Sequence, residues 1–88
     1  MQYILFYDYV PDMAERRGPY REAHLQRIFE RRRDGHVTAA GGLGDPVHGA
    51  AIVFKDTDPT AIERFAAGDP YVIAGLVVRH RIEPWRAV

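Results

Sequence analysis

The sequence contains no cysteine, which removes disulfides, thiolate nucleophiles and cysteine-ligated metals at once and makes a reducing compartment, the cytoplasm, the expected home. It also lacks an excess of either charge, since twelve basic residues balance twelve acidic ones. No overall field therefore recruits nucleic acid or an anionic membrane, and a charged ligand has to be recognised locally. Long apolar runs are missing too: Tyr3-Ile4-Leu5-Phe6-Tyr7 meets a charge at Asp8, too soon for a signal-peptide core or a membrane span. There is no His-Glu-x-x-His or comparable ligand spacing, so no metal is expected. No Gly-x-x-x-x-Gly-Lys loop occurs, and Gly41-Gly42-x-Gly44 precedes no helix, so no phosphate cradle and no cofactor are expected. Internal repeats, low-complexity tracts and linkers are likewise absent.

What remains is enough for one domain, residues 1–88, with 47% hydrophobic and 11% aromatic residues. A chain of this size buries only about two-thirds of its unfolded surface, so association with a second copy is a natural remedy. Eleven of the twelve basic residues are arginine, four of them between Arg27 and Arg33. Glu30 and Asp34 interleave with these, which favours a solvated helix face over an anion patch.

Residues 2–10 are aromatic and aliphatic without helical period and close at Pro11-Asp12, which predicts a strand. Ile4 and Phe6 fall on one face, Tyr3, Leu5, Tyr7 and Tyr9 on the other, so both faces need cover. A short turn over 13–17 and a helix over 19–34 follow, the helix with a Leu25, Ile28, Phe29 stripe and Gly35 as its C′ residue. A small-residue strand from His36 to about Gly42 is predicted to bend or to let a ligand approach its backbone, and it pairs with a stronger strand at 50–55. Asp58-Pro59 and Asp69-Pro70 each read as an N-cap followed by an N1 proline, opening a second helix that ends near Gly68 and a single turn stopped by Gly75. The last strand, 76–83, alternates Leu76, Val78, His80 and Ile82 against Val77, Arg79, Arg81 and Glu83, and Pro84-Trp85 ends it. The order β-α-β-β-α-β is the ferredoxin-like arrangement, an α+β four-stranded antiparallel sheet with two helices on one face. Leu5 and the strand-one tyrosines are assigned to the opposite face, where a partner sheet would cover them.

His24 flanks the stripe of the first helix, a position of partial burial that suits a general acid or base near neutrality. Asp69 is the best carboxylate to orient it, because N-capping leaves one oxygen free. An RNA-binding reading of the same topology fails at the third strand, where Ala50 and Ile52 stand in place of stacking rings. Tyr7 and Tyr71 are candidates to line a cleft and Arg21 to hold an anionic group, while Gly42 lies in the strand open to close approach.

Arg21-Glu22-Ala23-His24-Leu25, Ala40-Gly41-Gly42-Leu43, Asp69-Pro70-Tyr71-Val72-Ile73-Ala74-Gly75-Leu76 and Glu83-Pro84-Trp85 together resemble the YciI-like (YCII-related) family over nearly the whole chain. The resemblance implies a ferredoxin-like subunit of a dimeric α/β barrel, with a site centred on the residues matching His24 and Asp69. It departs at Gly41-Gly42-Leu43, where many members carry Ala-Gly-Pro. The expected function is a small-molecule enzyme, of lyase or isomerase type, using a His-Asp pair in a homodimer. The alternative is a dimer that binds a metabolite without transforming it.

Overall fold

The computed structural model describes residues 1–88. Four strands, β1 (Gln2–Tyr9), β2 (Val37–Leu43), β3 (Gly49–Lys55) and β4 (Val77–Trp85), form one antiparallel sheet in the order β2-β3-β1-β4. The strands β1 and β3 take the two central places because both carry apolar side chains on both faces. Four helices join the strands: α1 (Met13–Arg16), α2 (Gly18–Arg33), α3 (Pro59–Ala67) and α4 (Pro70–Ile73). None is long and apolar enough to cross a membrane.

Local chemistry accounts for the helix ends. The Asp58 side chain accepts from the Ala61 amide at 2.9 Å and Pro59 opens α3; Asp69 accepts from the Tyr71 amide at 2.9 Å and Pro70 opens α4. Gly35 follows α2 with φ +87°, the left-handed step that lets the chain leave a helix and enter β2.

Both long helices pack on the same side of the sheet. Leu5, Tyr7, Ile52 and Phe54 from the strands meet Ile28 of α2 and Ile62, Phe65 and Ala66 of α3 in one cluster, beside a smaller one of Met13, Tyr71 and Leu76. This corrects the facing of β1 expected from sequence. Leu5 and Tyr7 are fully buried beneath the helices, not turned toward a partner, and the uncovered face carries the half-buried Ile4 and Phe6 with Ala51 and Val53 of β3. Alternation separates two faces but does not say which one the helices take.

Two further expectations change at β4. The strand runs on through Pro84 and Trp85, because β4 is an edge strand and a proline opposite Tyr3 leaves no needed amide unmade. Its alternation is also broken by a register shift opposite Asp8 and Tyr9, so Val77 joins the core side with His80 and Ile82 while Val78 is exposed. A second shift, between Val37 and Ala39, turns both Val37 and Ala40 toward the helices. The predicted irregularity of the small-residue strand takes this form.

Candidate active site

His24 lies at the centre of the buried face of α2, not on its flank: it is only 5% exposed, while Phe29 of the predicted stripe is half exposed. Its ring sits against Tyr71, centroids 3.8 Å apart and planes within 11°. That stack fixes the imidazole plane.

Asp69 is fully buried at the α3–α4 junction. The His24 Nδ1–H lies 2.9 Å from both carboxylate oxygens, the Tyr7 hydroxyl donates to Oδ2 at 2.9 Å, and the Tyr71 amide donates to Oδ1 at 2.9 Å. A buried carboxylate is costly unless its lone pairs are filled, and these three donors fill them. A carboxylate oxygen can only accept, so the contact selects the Nδ1–H tautomer of neutral His24. Nε2 has no protein partner, and no buried side-chain nitrogen or oxygen is left unsatisfied, so Nε2 is the atom that reaches open space.

The phenols around the pair resist ionisation. Burial chiefly, then the charge and hydrogen bond of Asp69, pushes Tyr7 far above the ordinary tyrosine range; burial, then Tyr71 and Asp69, does the same for Tyr9. Burial raises Tyr71 as well, against the opposing pull of Arg17 and Arg21.

His24 opens on a cleft of about 200 Å³ between α2 and the β2 edge of the sheet. Of the residues proposed from sequence, Arg21, Gly42 and Tyr71 lie along it, and the small residues Ala40, Gly42 and Ala50 leave its sheet wall low. At Gly42 an added Cβ would stand 3.1 Å from the Val47 side chain, so even alanine there would crowd the opening. Tyr7 does not line the cleft. It stands behind Asp69, fully buried, and acts on the carboxylate instead. Because the cleft is on the helix side, it is separated by the sheet from the face on which a partner sheet was expected.

Tyr9, Arg17, Phe29 and Val47 also line the cleft and were not singled out from sequence. For Arg17 the available signal was its spacing from Arg21 and His24, which continues one side of α2 back past its first residue. A larger hollow of about 470 Å³ lies on the α3 flank of α2. Two guanidiniums there are already engaged, Arg27 by the Phe65 carbonyl and Arg31 by Asp34, and no acid/base pair converges on it.

A four-stranded antiparallel sheet backed by two helices, with a buried histidine–carboxylate pair opening at one edge, defines an α+β protein of the ferredoxin-like fold. The chain belongs to the YCII-related domain family, which it matches over residues 1–86. It is 27% identical to protein YciI of Escherichia coli O6:H1 and 27% identical to an uncharacterised protein of Haemophilus influenzae, in each case over 100% of this chain and 99% of the relative. Among solved structures it is similar to the 5-chloro-2-hydroxyhydroquinone dehydrochlorinase TftG of Burkholderia phenoliruptrix AC1100, seen in complex with 2,5-dihydroxybenzoquinone. The TM-score is 0.84 at 18% identity, covering 100% of this chain and 96% of that one.

Proposed function

We propose that this protein is a small-molecule enzyme in which His24 moves a proton at Nε2 and Asp69 holds the ring and stabilises its charged form, in a reaction of the lyase or isomerase type. The observation that carries the reading is the His24 Nδ1–Asp69 contact at 2.9 Å with Nε2 left open to the cleft. Neutral His24 takes a proton from substrate carbon or oxygen; the imidazolium, stacked on Tyr71 and bonded to Asp69, returns it to the leaving group or to a second position. The chain has neither cysteine nor serine and no threonine lines the cleft, which favours proton transfer over a covalent hydroxyl or thiol route. A cleft of about 200 Å³ suits a molecule of one ring, the size of the dihydroxybenzoquinone held by TftG. The cytoplasm, where a cysteine-free chain is at no disadvantage, belongs to the same reading.

The homodimer is part of this proposal. Ile4, Phe6, Ala51 and Val53 make an apolar strip across the two central strands with no element over it, and a second sheet is the surface that matches it.

The test is 5-chloro-2-hydroxyhydroquinone together with unhalogenated enolisable ring analogues, read as chloride release and as deuterium uptake from D₂O. His24→Ala is expected to lower the rate by about 10²-fold or more while the protein stays folded. Unchanged turnover in that variant removes His24 from the mechanism. Saturable binding with no turnover by the parent chain points instead to a dimer that only holds its ligand.

A further inference from the structure

The kind of molecule the cleft takes can be read from its charges, an inference that rests on the acid/base reading above. Three guanidiniums line the cleft, those of Arg17, Arg21 and Arg32, and no carboxylate does. None of the three has an ion-pair or hydrogen-bond partner. By contrast Arg16, Arg31, Arg79 and Arg81 each meet a carboxylate within 3.5 Å, and Arg27 donates to the Phe65 carbonyl. Arg33, Arg64 and Arg86 are unpaired as well but lie outside this cleft, so what sets Arg17, Arg21 and Arg32 apart is that they are unpaired and line a concave surface that no carboxylate shares.

Arg17 and Arg21 are one turn apart on the same side of the helical segment, and Arg21 is one turn before His24. Both act on the Tyr71 phenol, drawing its pKa down against burial, so both guanidiniums stand near the ring that stacks on His24. The start of α2 adds to them: its first turn has no acidic residue and its N-cap makes no side-chain bond, so the positive end of a 16-residue helix is not neutralised. Arg32 is fifteen positions beyond Arg17, roughly 22 Å along the axis at 1.5 Å per residue, and is out of reach of the same one-ring ligand.

We infer that the cleft takes a single-ring organic anion, whose carboxylate or enolate oxygen is held by Arg17 and Arg21 while the ring lies between Tyr71 and the low wall at Ala40 and Gly42. The atom that gives up its proton then faces Nε2 of His24. Removing a proton from a molecule that is already negative builds up a second charge. Two guanidiniums and a helix end offset that charge in a partly enclosed site, where water would screen it less.

The experiment is an NMR titration of the ¹⁵N-labelled chain with sodium benzoate and, separately, with benzamide, its neutral isostere, at constant ionic strength. Benzoate is expected to move the amide resonances of Arg21, His24, Gly42 and Tyr71 saturably, and benzamide to bind about tenfold more weakly or worse. Arg17→Gln and Arg21→Gln should each weaken benzoate about tenfold, and Arg33→Gln, outside the cleft, by less than about twofold. Arg21 is exposed and Arg17 half-buried, so the variants keep the fold, which their amide dispersion reports. Equal affinity for the two probes, benzoate binding that ignores Arg17 and Arg21, or no movement of cleft resonances would each overturn the inference. Turnover is not involved, so the two readings fail separately. If benzoate fails while His24→Ala still abolishes turnover, only the anion site is lost; if benzoate binds through the arginines and His24→Ala changes nothing, only the acid/base role is lost.

Discussion

Of the three donors that satisfy Asp69, the Tyr7 hydroxyl comes from the far end of the chain, 62 residues away in sequence. Tyr7→Phe keeps the ring and deletes that one donor, leaving a fully buried carboxylate oxygen short of a partner. The expected cost is about 1–3 kcal/mol in urea unfolding. The same residue gives the protein an alkaline limit. In the folded state the Tyr7, Tyr9 and Tyr71 phenols are held above their ordinary range, mainly by burial, so the folded chain keeps protons that the unfolded chain releases near pH 10. Stability is therefore expected to be insensitive to these groups below about pH 10 and to fall as pH rises above it. Denaturant midpoints measured between about pH 8 and 11 check this, and Tyr7→Phe should flatten the slope. The sequence made His24 and Asp69 legible as individual residues, one by its place beside a helical stripe and the other by its cap. Their contact, and the part Tyr7 plays in it, spans 45 and 62 residues, and no local pattern carries such a distance.

At the scale of elements, what could be read locally was read well. The Asp-Pro pairs at 58–59 and 69–70 place two helix starts because capping is chemistry between neighbours. What failed was orientation. The rotation of α2 about its own axis puts His24 in the centre of the buried face, and a single extra residue in β4 exchanges Val78 for Val77; propensity fixes neither. The glycines of the β2–β3 hairpin test how tightly the sheet wall is built. At Gly49 an added Cβ would sit 2.3 Å from the Tyr7 carbonyl oxygen, whereas at Gly41 it would meet nothing within 4 Å. Gly49→Ala is thus expected to push β3 from β1 at a cost of about 1–3 kcal/mol, and Gly41→Ala to stay within about 0.5 kcal/mol of the parent, both read from thermal or urea unfolding.

For the molecule as a whole, the sheet divides two tasks. Its helix side holds the cleft, and its open side offers Phe6, with Arg81 4.3 Å above the ring, as the middle of the proposed dimer face. Light scattering is expected to give twice the 10.0 kDa chain mass, and Phe6→Asp to return the chain mass itself. Because the face is remote from His24, that variant should keep the cleft's ligand shifts; a monomeric parent would refute the dimer. Asp69 has a different standing in the molecule. Through Tyr7 it holds the main core and through Tyr71 the smaller one, so it joins the two clusters as well as orienting the histidine. A screen of random variants would therefore sort the two residues differently: changes at 69 would be lost among chains that never accumulate, while changes at 24 would survive as soluble, silent protein. The inactive control with which to trap a ligand is to be made at His24.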